Sequence, residues 1–166
     1  VKISKKDVAD EPRRWAVSLS EYESFGAFND GTGGQRLGLN GVTTFVRKGL
    51  TLAADSAPLG NKELDGEGRC IMTDHGEFVV FNVYVPNSSG GARVPYKQRW
   101  LRALRAAMQR QRERGKAVLL VGDLNMKHRS MDQHWESYTV APPTFLGAVE
   151  RLRSTQQVSL LQPFLN

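Results

Sequence analysis

Apolar positions fall into short runs that polar turn residues separate, and four of these runs have the length of a strand. Gly41–Lys48 and Arg69–Thr73 are rich in β-branched and apolar residues. Glu77–Val85 (EFVVFNVYV) is mostly apolar on both faces, which predicts an interior strand that ends at Pro86. Ala117–Val121 is apolar without alternation, which predicts a strand buried on both faces.

Two further segments have helical spacing. Tyr96–Arg114 follows Pro95 and stops at Gly115, which predicts an amphipathic helix that packs on the sheet. Thr144–Arg153 predicts another amphipathic helix near the end of the chain. The apolar face of the first helix consists of Trp100, Leu101, Leu104, Ala107 and Met108.

The remaining segments are polar or rich in glycine and predict connections. A short strand near Phe25 leads into Asn29–Asn40, which predicts a loop or a hairpin connection. Leu50–Gly68 predicts a surface loop with a turn of helix near Lys62–Leu64. Met126–Ser137 predicts a polar loop that contains two histidines, His128 and His134.

The order of the elements places several polar groups together. The turn Asp74–Glu77 joins two strands into a hairpin, and strand Glu77–Val85, the long helix and strand Ala117–Val121 form a βαβ unit. Parallel strands end at the same edge of a sheet, so Tyr84 should lie near Asp123 and Asn125. Ligands of open α/β sheets bind at that edge. The sequence therefore predicts a site made of a phenol, a carboxylate and a carboxamide.

Composition narrows the class of protein without fixing its function. The 166 residues suffice for one domain with a core, and the net charge of +6 with arginines concentrated in 93–114 favours an anionic partner. A solvated helix face explains the same arginines equally well. Cys70 is the only cysteine, which excludes an intrachain disulfide and fits a reducing compartment. No apolar run reaches membrane-spanning length, so no membrane partner is expected.

Several motifs occur together in a specific order. VGDLN follows FNVYVPN and a helix containing YKQRW, and GVTTFVRK and Glu67-Gly68-Arg69 precede them. Over about residues 40–135 the chain resembles the exonuclease III / apurinic–apyrimidinic (AP) endonuclease family of the endonuclease/exonuclease/phosphatase superfamily. His128-Arg129 and the DGEGR run are most similar to the eukaryotic type 2 AP endonucleases, although Met131 stands where the family usually has Ile.

This resemblance implies a fold, a reaction and a set of roles. It implies an α/β protein, a DNase I-like sandwich of mixed β-sheets flanked by helices, of which residues 1–166 form part of one domain. It assigns Asp123 to aligning or deprotonating the attacking water, Asn125 to orienting Asp123 and the phosphate, and Tyr84 to the scissile phosphate or its leaving oxygen. Asp123 and Asn125 would also contact Mg²⁺, for which Mn²⁺ could substitute. Substrate contacts are expected from Asn87, Arg93 and Lys97.

The implied function is Mg²⁺-dependent hydrolysis of DNA phosphodiesters in base excision repair. The substrate would be DNA with an abasic site or a 3′ end, cleaved as an AP endonuclease with 3′–5′ exonuclease or 3′-phosphodiesterase activity. The resemblance also implies a nuclear location, with mitochondria as a second expectation. The family's metal-binding Glu, its first Asn- and Asp-bearing strand and its Ser-Asp-His segment have no counterpart here. We therefore expect a fragment of a longer enzyme that is inactive or nearly so alone.

Two alternatives stay open at this point. Other branches of the superfamily are phosphatases or deadenylases that act on lipid, inositol or RNA, although the Tyr84-x-Pro-Asn turn followed by YKQRW favours the DNA branch. The chain could also be a noncatalytic nucleic-acid-binding module without a metal site. Neither histidine of the polar loop follows a Ser-Asp pair, so no catalytic role is assigned to them.

Overall fold

Residues 5–6, 20–32 and 37–126 are the part of the chain that the computed structural model describes. Their elements belong to one compact unit, Val1–Asn125. The predicted helix Thr144–Arg153 and the histidines of the predicted polar loop lie outside the described residues. In chain order the elements are β1 (Tyr22–Ala27), β2 (Val42–Arg47), β3 (Ala53–Asp55), α1 (Lys62–Asp65), β4 (Cys70–Asp74), β5 (Phe78–Tyr84), a 3₁₀ turn (Ser89–Gly91), α2 (Val94–Glu113) and β6 (Ala117–Asp123).

The strands form two sheets in the described part of the chain. β1 and β2 pair antiparallel as a hairpin, and the larger sheet has the order β3-β4-β5-β6. β3, β4 and β5 are antiparallel neighbours, whereas β5 and β6 run parallel and α2 joins them. The predicted hairpin, formed by β4 and β5, and the predicted βαβ unit, formed by β5, α2 and β6, are therefore confirmed. No described helix is long and apolar enough to cross a membrane.

Apolar side chains are buried on both sides of the larger sheet. On the side of α2, Val79, Phe81 and Val83 are at most 1% exposed. Burial of each such side chain contributes roughly 1.5–3 kcal/mol to stability. The helix face that the sequence predicted is buried with them: Trp100, Leu101, Leu104, Ala107 and Met108. On the other side, the β1–β2 hairpin packs through a smaller cluster of Ala27, Val42 and Ile71, with Phe25 and Tyr84 at its margin.

The interpretation of Leu50–Gly68 as a surface loop is wrong for Ala53–Asp55, which forms the edge strand β3. All three residues of β3 are exposed, and its backbone pairs with β4. A strand that is held only by main-chain hydrogen bonds has no apolar pattern to reveal it. The predicted turn of helix is confirmed as α1, where the Asn61 side chain accepts a hydrogen bond from Leu64 N and caps the helix.

The prediction that Ala117–Val121 is buried on both faces is also wrong. Leu119 is 47% exposed and Val121 is 44% exposed. β6 is the outermost strand of the sheet among the described residues, and the β1–β2 hairpin packs on β4 and β5. The face of β6 that points away from α2 is consequently left uncovered by the described elements. The apolar run is nevertheless a strand, because its backbone pairs with β5 along its whole length.

Gly122 permits the close pairing at the end of β6. Its φ is 116°, and a Cβ at this position would lie 2.1 Å from the main-chain oxygen of Val83 on β5. Only glycine adopts this backbone conformation and tolerates this approach without a shift of the main chain. The glycine therefore keeps the carboxyl ends of β5 and β6 in register.

We expect Gly122→Ala to lower the free energy of unfolding by about 3 kcal/mol or more, because the new Cβ collides with backbone. Gly60→Ala is the matched control, since Gly60 also has a positive φ (69°) but no atom lies within 4 Å of the point that its Cβ would occupy. That control should cost only about 1 kcal/mol. Urea unfolding of the two variants measures the difference, and equal losses would contradict the role given to Gly122.

Candidate active site

The carboxyl ends of β5 and β6 bring Tyr84 and Asp123 together. The two residues are register partners in the parallel pair, and Val85 N donates a hydrogen bond of 2.9 Å to Asp123 O just beyond it. The sequence-based prediction that they share one edge of the sheet is confirmed. Asp123 is exposed and Tyr84 is half-buried, so the carboxylate and the phenol are both at the surface of the fold.

A cleft of about 440 Å³ lies at this edge. Its walls come from the start of β2 and from the ends of β5 and β6. The polar side chains are carboxamides, a hydroxyl, a phenol and a single carboxylate. The residues that line the cleft are Asn40, Gly41, Val42, Thr43, Asn82, Val83, Tyr84, Gly122 and Asp123.

The loop after β6 is held in one conformation by its own polar groups. Asp123 Oδ1 accepts a hydrogen bond of 2.8 Å from Asn125 N, and Asn125 Nδ2 donates one of 2.8 Å to Val85 O. Asn125 has a φ of 46°, a conformation that asparagine tolerates better than most residues. The Asn125 side chain therefore ties the end of β6 to the residue that follows Tyr84, and its Oδ1 accepts no hydrogen bond from the described residues.

Lys97 lies beneath this loop rather than on the surface. It is 2% exposed, and its Nζ donates a hydrogen bond of 2.8 Å to Asn125 O. Burial lowers the pKa of the Lys97 ammonium, and the nearby Asp123 carboxylate opposes that effect. A buried cation near the carboxylate is thus part of the support for the loop. The predicted contact of Lys97 with substrate stays a prediction.

The other two predicted substrate residues lie on the segment that leads into α2. Asn87 is exposed, and its Oδ1 accepts a hydrogen bond of 2.7 Å from Ser89 N. Arg93 forms an ion pair with Glu67, and its guanidinium lies 4.4 Å from the centre of the Tyr96 ring. Burial, together with the Glu67 carboxylate, raises the pKa of Tyr96. Much of the charge of Arg93 is therefore already balanced within the protein.

Sequence reasoning missed the charged residues behind the cleft. Glu67 is fully buried, and Arg69, 4% exposed, contacts both Asn40 and Tyr84. The signal was present in Glu67-Gly68-Arg69, which contributed only to the family resemblance. Asn82 joins β5 to β2, because its Nδ2 donates hydrogen bonds to Thr43 O and Thr44 Oγ1. Cys70 is a buried core residue of β4, and burial raises the pKa of its thiol.

The oxygens at the loop suit a hard divalent cation that keeps most of its water. Asp123 Oδ2 and Asn125 Oδ1 are both free of hydrogen bonds from the described residues, and Mg²⁺ is commonly bound through one or two carboxylates with water and substrate phosphate completing its shell. Within residues 5–6, 20–32 and 37–126, no three His, Cys, Asp or Glu side chains cluster closely enough to hold a metal. One carboxylate oxygen and one carboxamide oxygen are the donors that this loop offers to such an ion.

A second cleft, of about 540 Å³, lies near α1 and contains none of the predicted site residues. Its carboxylates are occupied with main-chain groups. Asp65 accepts hydrogen bonds from Leu59 N and Asn61 N, and Asp30 accepts one from Thr32 N. These hydrogen bonds stabilise loops around the second cleft. The cleft at the ends of β5 and β6 contains Tyr84 and Asp123, and it is therefore the candidate active site.

The sequence profile of one protein family matches residues 6–145, which is most of the chain. That family is described as the endonuclease/exonuclease/phosphatase family. The chain belongs to this family. The matched region includes every residue that lines the cleft at the ends of β5 and β6.

Curated relatives refine the comparison. The chain is 28% identical over 166 aligned residues to DNA-(apurinic or apyrimidinic site) endonuclease 2 of Bos taurus, an alignment that covers 80% of this chain and 31% of the bovine protein. It is 37% identical over 70 residues to the protein of the same name from Schizosaccharomyces pombe, covering 42% of this chain and 13% of that protein. The chain thus spans about a third or less of these relatives.

Among solved structures, a 3′-5′ exonuclease (NExo) from Neisseria meningitidis matches with a TM-score of 0.59 and 19% identity. The match covers 82% of this chain and 49% of the exonuclease. Similarity at this level of identity establishes the fold. The predicted α/β, DNase I-like architecture is therefore confirmed for the part of that fold which the chain covers.

The loop after β6 yields a test on stability. Asn125→Ala should lower the free energy of unfolding by about 2 kcal/mol, since it removes the hydrogen bond to Val85 O and places alanine, which has no polar side chain to compensate, at a positive φ. Asn125→Gly should cost roughly 1 kcal/mol less, because glycine adopts that φ freely. Urea unfolding compares the two variants. A glycine variant as unstable as the alanine variant would mean that backbone conformation contributes nothing here.

Proposed function

We propose that the protein is a Mg²⁺-dependent DNA phosphodiester hydrolase of base excision repair, and that residues 1–166 are part of its catalytic domain. The reaction is cleavage beside an abasic site, accompanied by 3′–5′ exonuclease or 3′-phosphodiesterase activity. One observation carries this proposal: Tyr84 and Asp123 are partners in the parallel pairing of β5 with β6, and both line one cleft. The family membership and the named DNA-repair relatives support it.

The geometry suits distinct roles for the three central residues. Asp123 is exposed and keeps one carboxylate oxygen free, so it can align a water molecule or accept its proton. Asn125 fixes the loop through Val85 O and orients Asp123 through its main-chain N–H. Tyr84, held at the cleft wall, can donate its phenol hydrogen to an oxygen of the scissile phosphate or to the leaving oxygen.

Asp123 and Asn125 would hold the divalent ion through their free oxygens. A bound Mg²⁺ or Mn²⁺ offsets the negative charge that develops on a phosphate during hydrolysis. Lys97 supports the same loop from below through its hydrogen bond to Asn125 O. Because that ammonium is buried, we propose that Lys97 influences substrate through the loop, and that a direct phosphate contact would require it to leave Asn125.

The DNA partner is proposed from charge and from relatives. One structural neighbour with a TM-score of 0.57, a variant of the 3′ phosphatase NExo from Neisseria, is bound to a product DNA hairpin. In this chain Asn87 is exposed on the segment between β5 and α2, and Arg93 follows it at the start of α2. We propose that both residues contact DNA phosphates, which provide affinity without sequence preference. The nucleus, with mitochondria second, is the proposed location.

The intact gene product should cleave an abasic duplex with Mg²⁺ and should turn over poly(A) and inositol polyphosphates far more slowly. Asp123→Asn should lower kcat/KM on the abasic duplex by about 10²–10⁴-fold, because a positioned carboxylate is lost. Steady-state kinetics on the three substrates provide the measurement.

Asp74→Asn serves as the matched control. Asp74 lies at the end of the sheet that is distant from the cleft, and it pairs with Lys116. Its kcat/KM should equal that of the wild type. Preferential turnover of poly(A) or inositol polyphosphates would favour the alternative of another superfamily branch. DNA binding without turnover of any of the three substrates would favour the noncatalytic binding module.

A further inference from the structure

Glu67 is a fully buried carboxylate with two arginine partners. Arg69 Nε donates a hydrogen bond of 2.5 Å to Glu67 Oε2, and Arg93 Nη2 pairs with Glu67 Oε1. A buried carboxylate is costly unless its oxygens are paired and hydrogen-bonded, and here both oxygens are. The next residue, Gly68, packs so tightly that a Cβ would lie 2.2 Å from the main-chain carbon of Phe28. Glu67 is therefore a fixed anchor point.

Arg69 uses the rest of its guanidinium toward the cleft. Its Nη1 donates a hydrogen bond of 3.2 Å to Tyr84 O, and its Nη2 donates one of 2.8 Å to Asn40 Oδ1. The guanidinium also lies 4.8 Å from the centre of the Tyr84 ring, within the range of a cation–π contact. The planar guanidinium has five N–H donors, so it can bind Glu67, Tyr84 O and Asn40 at the same time. A lysine ammonium at this position could not make the same set of divergent hydrogen bonds.

These contacts connect the two walls of the cleft. Asn40 comes just before β2, Tyr84 ends β5, and both line the cleft that Asp123 completes. Arg69 holds the main-chain oxygen and the ring face of Tyr84, and no described residue hydrogen-bonds the phenol oxygen. On the opposite wall, the bond to Oδ1 orients the Asn40 carboxamide, whose Nδ2 is buried without an acceptor in the described part of the chain. An ion pair that only stabilised the fold would need no contact of Arg69 other than the one with Glu67. The additional contacts with Tyr84 and Asn40 indicate a role in shaping the cleft.

We propose that Arg69 is a positioning residue: anchored by buried Glu67, it holds the Tyr84 ring and the Asn40 carboxamide at the spacing that substrate requires. This inference rests on the proposed function, since it assumes that the Tyr84 phenol meets a phosphate. Arg69 itself stays behind the cleft walls and touches no reacting atom. Arg69→Lys keeps a cation beside buried Glu67, so it should displace Tyr84 with a smaller loss of stability than Arg69→Met.

The first test uses the purified 166-residue chain and needs no activity. The tyrosines are replaced with 3-fluorotyrosine, and the ¹⁹F resonance of Tyr84 is assigned by its absence in Tyr84→Phe. Arg69→Met and Arg69→Lys should each shift or broaden that resonance by more than its linewidth. Both variants lose the hydrogen bond from the guanidinium to Tyr84 O and its contact with the Tyr84 ring. The resonance of Tyr22, on β1, should stay in place and report that the chain is folded.

Arg110→Met is the matched control. Like Arg69, Arg110 donates a guanidinium hydrogen bond to a main-chain oxygen of another segment, from its Nη2 to Pro58 O at 2.9 Å. Arg110 does not contact the cleft. This variant should leave the Tyr84 resonance unchanged. If a folded Arg69→Lys chain also gives an unchanged Tyr84 resonance, or if Arg110→Met moves it equally, the positioning role is overturned.

The second test measures kinetics of the intact gene product on an abasic duplex. Arg69→Lys should lower kcat by roughly 10–100-fold with little change in KM, because misplacement of a reacting group by about 1 Å has effects of that size. Combined with Tyr84→Phe, it should add clearly less than its own loss, since the contribution through Tyr84 is already gone and only the one through Asn40 remains. Losses that multiply would contradict action through Tyr84. If the wild type is inactive, the proposed function fails, and the fluorine spectra still decide whether Arg69 positions Tyr84.

Discussion

The parallel pairing of β5 with β6 is the constraint on which the candidate site depends. Tyr84 and Asp123 lie 39 positions apart in the sequence and meet only because the two strands run side by side in that register. Gly122 keeps the register at the critical end, where any side chain would collide with the backbone of Val83. The helix α2 between the strands imposes the parallel direction and buries the apolar side of the sheet.

Around this pairing, buried charge supports the two walls of the cleft. Glu67 anchors Arg69, which reaches Asn40 and Tyr84, and Lys97 holds the loop after β6 through Asn125 O. Each of these charged groups is desolvated, so each is tolerable only with its partner in place. The polar contacts therefore fix positions within the cleft, while the hydrophobic layers provide most of the stability.

The sequence was sufficient to predict the elements whose patterns are local and strong. The β5–α2–β6 unit, the buried face of the helix and the meeting of Tyr84 with Asp123 all followed from periodicity and strand direction. β3 was not predictable, because Ala53–Asp55 is exposed and is held by backbone pairing alone. The exposure of β6 depends on which strands cover it, and that is not encoded in Ala117–Val121. The burial of Lys97 likewise depends on packing between distant segments, for which a positive charge on a helix gives no signal.

The most direct test of the central claim is a titration of the ¹⁵N-labelled chain with Mn²⁺, followed by paramagnetic broadening of amide resonances. If the ends of β5 and β6 form one divalent-cation site, the amides of Asp123–Asn125 and Tyr84–Asn87 should broaden first. Resonances at the opposite end of the sheet, near Asp74 and Lys116, should stay sharp at the same concentration. Broadening that begins around Asp30 and Asp65 instead, or uniformly over the surface, would contradict the account.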